Sequence, residues 1–386
     1  MDGGDSVKIM LSAGEVSGDL HGRRLAEALL QMDPSLQLFG LGGKEMEGAG
    51  VRLVRDFADY NVMGVWEVLK NLRRILQLLS DLEAFMKEEK PDLLVLIDYP
   101  DFNWRLARKA KALGIPVFSY IPPSAWAWRK GRAKACAKIA DEFVAIFPHE
   151  LPPYEKAGAR ISFVGNPLVD TVKAEISPKA AEQEFGLQEG EIPVLLLPGS
   201  RRQEIEMLLP DMLEAAKMLK ERRPETRFYL PVADKGLREL IEDKIVRSGA
   251  ELTLTGTEHR YALMNMAVAA MAASGTVVME AALMGLPCVV LYRFSRLSAF
   301  IGRLVVHIEN FSLPNILLGE SFQTELLQEQ VTPKNIAAHM LQLYPGEEKR
   351  ISTCEKLRKA CARLGEPGAA YRVAEKVLAC ARRHQR

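Results

Sequence analysis

The chain of 386 residues is longer than one hydrophobic core usually supports, so its length predicts two domains or one large α/β unit. Hydrophobic residues make up 48% and charged residues 26%, which is ordinary for a folded soluble protein, and a formal net charge of +1 argues against a general nucleic-acid-binding protein. Any anion-binding site must therefore be local.

The cysteines show no Cys-x-x-Cys pair and no histidine spacing typical of a zinc site. Their odd number fits reduced thiols in a cytosol, and no metal is expected. The polar segment 1–6 leads directly into a strand-like run, so we expect no secretory signal peptide. Residues 261–279 are uncharged over 19 positions, about the length of a membrane span, but their alanine-rich composition predicts a buried strand followed by a helix.

The first half of the chain alternates short apolar runs with amphipathic segments. Strands are predicted at residues 7–13, 36–41, 93–97, 117–121, 143–147 and 161–164. Helices are predicted between them, among others at residues 19–32, 66–89, 104–113 and 131–140. Because the apolar runs are continuous rather than alternating, they favour a parallel sheet covered on both faces.

The second half repeats this βα pattern after a polar stretch. Residues 166–192 contain Pro167 and Pro178 and predict a linker between domains. Further strands are predicted at residues 194–197, 227–232, 252–254, 268–273 and 288–291, with helices such as 204–222 and 277–284. The pattern predicts an α/β fold with two Rossmann-like, doubly wound parallel-sheet domains that face each other across a cleft.

A glycine-containing turn follows the first predicted strand. Its candidate acceptor- or sugar-binding residues are Glu15, Ser17, Gly18 and Asp19, at a place where a helix N-terminus attracts anions and glycine lets a ligand approach the backbone. The turn is not a GxGxxG motif, and the second strand is not followed by an acidic residue for a ribose, so no dinucleotide cofactor is expected. The alternative is a structural turn capped by Ser17 or Asp19.

Asp98 ends a strand of five apolar residues, where ligands bind in open α/β sheets. We interpret it as a candidate general base, because desolvation near a cleft would raise its pKa. The alternative is a turn cap, and for Asp101 capping of the next helix is the favoured interpretation.

Two indoles follow the next strand in a proline-stiffened loop. Sugar rings stack on aromatic faces and phosphates pair with guanidinium groups, while core packing of one indole is the alternative. The candidate sugar-binding residues of this loop are Ser124, Trp126, Trp128 and Arg129.

The second half offers two candidate nucleotide-binding turns. Gly199, Ser200 and Arg201 follow a strand and open a helix, which suits a diphosphate. The later turn would hold a ribose through a carboxylate, although helix capping also explains its hydroxyls. Its candidate residues are Ser274, Gly275, Thr276 and Glu280, with Asn315 from a companion segment.

One predicted helix in the first half has a broad apolar stripe bordered by Lys70, Arg73 and Arg74. Such a composition is typical of a helix resting on an anionic bilayer, but a helix buried against its own sheet explains it equally well. The candidate membrane-associating residues are Val65, Trp66, Val68, Leu69, Leu72, Ile75, Leu76 and, beside the Gly199 turn, Met207.

Seven segments together resemble one known family. In chain order they are GEVSGD, IDYPDFN, PPSAWAWR, LPGSRRQEIE, ASGTVVMEA, SLPNILLG and ELLQE. In this order, over nearly the whole chain, they resemble the lipid A disaccharide synthase family. The resemblance implies a GT-B fold and a metal-independent, inverting glycosyltransferase without a cofactor.

The resemblance also implies substrates and residue roles. The donor would be UDP-2,3-diacylglucosamine and the acceptor 2,3-diacylglucosamine 1-phosphate, joined β(1→6) with release of UDP in lipid A biosynthesis. Asp98 matches the family's catalytic aspartate, Arg201 its donor-binding arginine, and residues 274–280 with Asn315 its nucleotide-binding segment. Arg293 is expected to help Arg201 meet the charge on the leaving diphosphate.

The expected organisation follows from these roles. Residues 1–170 would form the acceptor domain with the membrane-associating helix, residues 190–350 the UDP-sugar domain, and residues 351–386 a helical tail that packs back on the first domain. The protein would be cytoplasmic and peripherally bound to the inner membrane; a homodimer is compatible with this interpretation, and no nucleic acid is expected. The alternatives are another GT-B UDP-sugar enzyme, such as a 2-epimerase or a polyprenyl-acceptor transferase, and a non-catalytic nucleotide-binding module at a lipid surface.

Overall fold

The computed structural model describes residues 6–60, 65–125, 130–232, 234–294 and 310–384, without the side chains of residues 60, 65–72 and 130. The chain divides into two compact units. Unit 1 comprises Met1–Pro167 and Glu366–Arg386, and unit 2 comprises Leu168–Gly365. In the described parts of both, no helix is long and apolar enough to cross a membrane.

Unit 1 contains a parallel sheet of seven strands. They are β1 (Lys8–Ala13), β2 (Gln37–Gly42), β3 (Arg52–Asp56), β4 (Leu93–Ile97), β5 (Val117–Tyr120), β6 (Glu142–Ala145) and β7 (Ile161–Phe163). Their order in the sheet is β3-β2-β1-β4-β5-β6-β7. Every neighbouring pair is parallel.

Helices cover both faces of this sheet. They are α1 (Val16–Met32), α2 (Lys44–Gly48), α3 (Val65–Glu89), α4 (Pro100–Ala112), α5 (Lys130–Ala137) and α6 (Leu151–Glu155). The central strands explain the two layers, since alternate residues of β4 point to opposite faces. Val95 and Ile97 belong to the core cluster that also contains α1, whereas Leu94 and Leu96 belong to the cluster that contains α3 and α4.

Unit 2 repeats the architecture with six strands. They are β8 (Ile192–Leu197), β9 (Thr226–Pro231), β10 (Thr253–Thr255), β11 (Ala269–Ala273), β12 (Cys288–Tyr292) and β13 (Glu325–Leu327), in the order β10-β9-β8-β11-β12-β13. All pairs are again parallel. Both sheets thus have the doubly wound Rossmann order, and the predicted fold class is confirmed.

The helices of unit 2 and the C-terminal helix complete the chain. They are α7 (Leu168–Thr171), α8 (Pro178–Phe185), α9 (Arg202–Arg222), α10 (Arg238–Ser248), α11 (Arg260–Met266), α12 (Thr276–Leu283), α13 (Leu313–Leu318), α14 (Pro333–Leu341), α15 (Glu348–Ala362) and α16 (Ala369–His384). The boundary between the units falls after Pro167, inside the predicted linker, but the rest of that stretch is part of unit 2 and buries Val172 and Ala181 in its core. Sequence reasoning also missed β3 and β13, which lie at sheet edges.

The C-terminal helix α16 returns to unit 1. It packs on α1 and against β4 and β5, and its buried residues Val373, Val377 and Leu378 join the same core cluster as β1. Arg372 donates to the Val164 carbonyl over 2.7 Å where the chain re-enters this unit. The helix thus covers part of one face of the sheet of unit 1, although unit 2 lies between them in the sequence.

Candidate functional site

Each sheet has one point where the strand order reverses. It lies between β1 and β4 in unit 1 and between β8 and β11 in unit 2. The carboxyl ends of parallel strands at such a point form the usual ligand-binding crevice of an open α/β sheet. Asp98 follows β4 directly, and Gly199 and Ser274 follow β8 and β11. The topology therefore brings the predicted residues of each unit to the edge of its sheet that is formed by the carboxyl ends of the strands.

In unit 2 this edge holds a pocket of about 420 Å³. The pocket contains most of the predicted donor-binding residues, namely Gly199, Ser200, Arg201, Ser274, Gly275, Thr276 and Glu280. Its lining also includes Thr257 and Arg260, which the sequence analysis did not single out. A pocket of this size fits part of a nucleotide.

The carboxylate of Glu204 fixes the loop after β8. The backbone of Gly199 has a φ of +102°, and a Cβ there would overlap the side chain of Glu204, so glycine is required. Glu204 Oε2 accepts hydrogen bonds from the backbone nitrogens of Ser200 at 3.1 Å and of Arg201 at 3.3 Å. Because these two amides are already paired, a diphosphate that used them would have to displace Glu204. The exposed guanidinium of Arg201 is a cation that lines the pocket.

Glu280 lies on α12 and is held by two neighbours from α11. Tyr261 donates its hydroxyl to Glu280 Oε1 over 3.2 Å, and Arg260 Nη2 lies 3.4 Å from the same oxygen. Arg260 also donates to the Tyr261 hydroxyl over 2.6 Å. This arrangement keeps the carboxyl group of Glu280 oriented inside the pocket. The sequence signal for Arg260 was its place just after a strand, at the same sheet edge.

The turn after β11 offers an uncapped helix start. Gly275 is the N-cap of α12, and no side chain caps this end of the helix. Ser274 donates its hydroxyl to the Phe311 carbonyl over 3.3 Å. The first turn of α12 therefore presents backbone donors to the pocket, as expected for an anion-binding turn.

Two further predicted donor-binding residues have structural contacts. Asn315 is fully buried. Its side chain donates to Glu325 Oε1 over 2.7 Å and accepts from the backbone nitrogen of Gln323 at 3.0 Å. Arg293 donates to Asp211 Oδ2 and to the Val331 carbonyl, each over 2.5 Å. Neither residue is part of the described lining of the pocket, so direct donor contact by Asn315 and Arg293 stays a prediction. Their hydrogen-bond partners lie in α9, in β13 and in two loops of unit 2.

In unit 1, Asp98 occupies a strained turn. Asp98 and Tyr99 both have left-handed backbone angles, with φ of +49° and +50°, which costs on the order of 1–3 kcal/mol for each non-glycine residue. Burial raises the pKa of the Asp98 carboxyl above its ordinary value, and the Tyr99 amide partly offsets this. The Tyr99 ring lies so close to Gly14 that a Cβ on Gly14 would overlap it. The turn thus presents a partly desolvated carboxylate of increased basicity.

A second carboxyl group interacts with Asp98. Glu150 is buried just before α6 and accepts a hydrogen bond from the Phe147 amide at 3.2 Å. Burial, opposed by backbone hydrogen bonds and reinforced by the charge of Asp98, raises the pKa of Glu150 to about 7. The two carboxyl groups are therefore electrostatically coupled. Sequence reasoning missed Glu150, which no motif marked.

The predicted turn after β1 divides into two parts. Glu15 and Ser17 are exposed at the start of α1, at the same sheet edge as Asp98. Gly18 is buried against β4, and Asp19 is buried and accepts from the backbone nitrogens of Gly43 at 2.7 Å and Glu45 at 3.0 Å. Asp19 therefore caps α2, and its prediction as an acceptor-binding residue is corrected to the structural alternative.

The loop after β5 is only partly described. Ser124 is exposed, Pro122 and Pro123 are buried, and Tyr154 donates its hydroxyl to the Pro123 carbonyl over 2.7 Å. Ile121 begins the loop with a φ of +61°, which is rare for a β-branched residue. The predicted sugar-binding residues Trp126, Trp128 and Arg129 lie outside the described residues.

Unit 1 contains a cavity of about 390 Å³ between α4 and α5. Its lining includes the side chains of Arg105, Arg108 and Arg132. Arg132 pairs with Asp101 over 3.2 Å, so three guanidinium groups face one carboxylate. The lining begins at Pro100, the first residue of α4, which follows the Asp98 turn in the chain.

The described part of α3 packs on the sheet but exposes some apolar surface. Leu78 and Leu79 are buried, Ile75 is half-buried and Leu76 is 49% exposed. The predicted membrane-associating side chains of Val65, Trp66, Val68, Leu69 and Leu72 lie outside the described residues. Met207 is half-buried, and its carbonyl accepts from Arg293 at 2.8 Å.

Comparisons with known proteins agree on one family. A family model described as Lipid-A-disaccharide synthetase matches residues 9–377. A lipid-A-disaccharide synthase of Syntrophus aciditrophicus is 42% identical over 377 residues, covering 97% of this chain and 98% of the relative. The enzyme of the same name from Myxococcus xanthus is 41% identical over 372 residues, covering 96% and 97%.

Solved structures of lower identity share the fold. The UDP-GlcNAc 2-epimerase of Neisseria meningitidis, bound to UDP-GlcNAc, has a TM-score of 0.63 at 16% identity and covers 97% of this chain and 100% of its own. The calicheamicin glycosyltransferase CalG4 has a TM-score of 0.63 at 15% identity and covers 98% and 99%. These neighbours support the GT-B fold class, whereas the full-length sequence matches decide the family. The chain belongs to the lipid-A-disaccharide synthetase family.

Proposed function

We propose that this protein is an inverting glycosyltransferase that joins UDP-2,3-diacylglucosamine to 2,3-diacylglucosamine 1-phosphate and releases UDP. The observation that carries the proposal is a desolvated Asp98 at the ligand-binding edge of one sheet in a chain of this family. The pocket of unit 2, with Arg201 and Glu280, supports a nucleotide-sugar donor.

In the proposed reaction Asp98 removes the proton from the acceptor's 6-hydroxyl. The oxygen then bonds to the donor's anomeric carbon while the bond from that carbon to the UDP oxygen breaks on the opposite face, which inverts the configuration. The carboxylate of Glu280 accepts ribose hydroxyls, and Arg201 with the first turn of α12 stabilises the leaving diphosphate. A raised pKa makes Asp98 a better proton acceptor.

The acceptor's phosphate has a candidate partner in the cavity between α4 and α5. Three guanidinium groups line this cavity and one carboxylate neutralises only one of them. Guanidinium groups bind phosphate oxygens in pairs, and a cavity whose lining begins just after the Asp98 turn in the chain suits an acceptor whose hydroxyl reaches that turn. We assign the phosphate of the acceptor to Arg105, Arg108 and Arg132.

Both substrates carry acyl chains, which ties the protein to a lipid surface. Peripheral attachment at the inner face of the cytoplasmic membrane is supported by the exposed Leu76 on α3 and by the basic residues Arg73 and Arg74 beside it, both exposed. The apolar stripe of the same helix continues toward its N-terminus in the sequence.

The test is release of UDP by the purified full-length protein with both diacylated substrates. We expect disaccharide 1-phosphate and UDP in equal amounts, and for Asp98→Asn a loss of turnover of roughly a hundredfold or more with donor binding retained. Asp243→Asn, which changes an exposed carboxylate on α10, is the matched control. Full activity of Asp98→Asn would remove Asp98 from the mechanism, and epimerisation of UDP-N-acetylglucosamine without UDP release would overturn the proposed function.

A further inference from the structure

The turn that carries Asp98 cannot hold its conformation alone. Asp98 and Tyr99 are consecutive non-glycine residues with left-handed backbone angles. Such a pair persists only where the surrounding structure fixes it. The Asp98 amide donates to the Tyr120 carbonyl over 3.2 Å, which anchors one side of the turn to β5. The two carbonyl groups of the turn need partners as well.

Both carbonyls are bound by Asn103. The Asn103 side chain donates to the Asp98 carbonyl over 2.7 Å, and the Asn103 backbone nitrogen donates to the Tyr99 carbonyl over 3.1 Å. Asn103 has no exposed surface and lies in the first turns of α4. The bond to Tyr99 is the first backbone hydrogen bond of α4, whereas the bond to Asp98 depends on the asparagine side chain.

The side chain of Asn103 is itself held by β1. Ser12 donates its hydroxyl to Asn103 Oδ1 over 2.7 Å, and Asn103 Nδ2 lies 3.1 Å from the Ser12 carbonyl. Ser12 is also fully buried and sits one residue before the end of β1. Since the Ser12 hydroxyl donates to the amide oxygen, the amide nitrogen must face the carbonyls. The pair thus crosses the switch point between β1 and β4.

We propose that Ser12 and Asn103 are positioning residues that hold the carboxylate of Asp98 in its reactive orientation. This inference rests on the proposed role of Asp98 as general base. Asn103 touches neither the substrates nor the pocket of unit 2 in this proposal; it acts through the backbone of Asp98. An apolar side chain at either position would leave buried polar groups unpaired and would release the turn.

The first test compares turnover, donor binding and thermal stability of the full chain. Asn103→Ala should lower kcat about tenfold to a hundredfold while UDP affinity, measured by titration calorimetry, changes less than twofold. Ser12→Ala removes only the hydroxyl that orients Asn103, and we expect a smaller loss of about threefold to tenfold. If Asn103→Ala does not fold, Ser12→Ala still tests the proposal. Normal kcat in the folded variants would overturn it.

The second test is a double-mutant cycle with Asp98→Asn. If Asn103 acts by positioning Asp98, adding Asn103→Ala to Asp98→Asn should lower the residual kcat less than twofold. A further loss equal to that of the single variant would assign Asn103 a separate effect and overturn the positioning role. The proposed base is judged independently, because full activity of Asp98→Asn alone contradicts that assignment whatever Asn103 does.

Discussion

At the scale of single residues, the reactivity of Asp98 depends on its surroundings more than on its sequence motif. Burial raises the pKa of its carboxyl, and no cation is among the causes that shift it. The neighbouring Glu150 is buried more deeply and has a pKa of about 7. Burial thus raises the pKa of two carboxyl groups at one sheet edge, which is typical of acid and base chemistry in active sites.

The raised pKa of Asp98 predicts the pH dependence of the reaction. A protonated carboxyl cannot accept a proton, so kcat/KM should fall about tenfold per pH unit below the pKa of Asp98, and this acid limb should lie above the ordinary aspartate range because burial raises that pKa. The measurement is a profile of kcat/KM against pH.

Glu150→Gln is the control for that profile. Glutamine removes the ionisable group of Glu150 and keeps its size, so an acid limb set by Asp98 should stay in place in this variant. If the acid limb of the kcat/KM profile shifts in the Glu150→Gln variant, Glu150 is instead the group that must be ionised.

At the scale of elements, α16 shows how a distant segment supports the catalytic sheet. It contributes Val373, Val377 and Leu378 to the cluster that contains β1 and β4. It is also tied to the sheet by Arg383, which pairs with the buried Glu142 on β6. The helix is therefore part of the core of unit 1 rather than an appendage.

The packing of α16 predicts a stability difference between two of its faces. Leu378 is 7% exposed, so Leu378→Ala should lower the free energy of unfolding by about 2–5 kcal/mol through lost burial and a residual cavity. Tyr371 on the same helix is 46% exposed, and Tyr371→Ala should change the free energy of unfolding by no more than about 0.5 kcal/mol. Denaturant titration of both variants checks this, and equal effects would contradict the packing.

The helix α3 has both buried and exposed leucines, so substitutions along it can test core packing and surface contact separately. Leu76→Ser removes an apolar side chain that is 49% exposed, so it should leave stability unchanged but reduce binding to vesicles of phosphatidylethanolamine and phosphatidylglycerol several-fold. Leu327→Ser, at a leucine of unit 2 that is 37% exposed, is the matched control. Co-sedimentation with the vesicles measures binding, and an equal loss in both variants would argue against a membrane contact by α3.

At the scale of the whole molecule, two units of the same topology carry different side chains at their switch points. Unit 1 has Asp98 and the cationic cavity, whereas unit 2 has Arg201 and Glu280. In the proposed function, a common backbone plan would bind a different substrate in each unit, because the chemistry resides in the loops that follow the strands.

This division predicts separate effects on the two substrates. Glu280→Gln should raise the donor KM about tenfold to a hundredfold, since a charged hydrogen-bond partner is lost, and should leave the acceptor KM unchanged. Arg108→Ala should raise the acceptor KM about tenfold and leave the donor KM unchanged. Steady-state kinetics with each substrate varied in turn checks both, with Glu242→Gln on α10 as control. A change of both KM values in either variant would contradict the division.

The sequence by itself determined the two βα series, the position of Asp98 after a buried strand and the turns around Gly199 and Ser274, because these depend on local periodicity and on residues adjacent in the chain. It also carried the family resemblance. Edge strands such as β3 escaped prediction, since they are short and only partly buried.

Only the tertiary structure decided which polar residues face a ligand and which serve the fold. Asp19 and Asn315 resembled binding residues in sequence, but each is paired with backbone groups of another loop. Conversely, Arg260 and Glu150 gained their positions through elements that meet only in the folded chain. Burial and hydrogen-bond pairing are properties of such long-range contacts, so no local pattern could assign them.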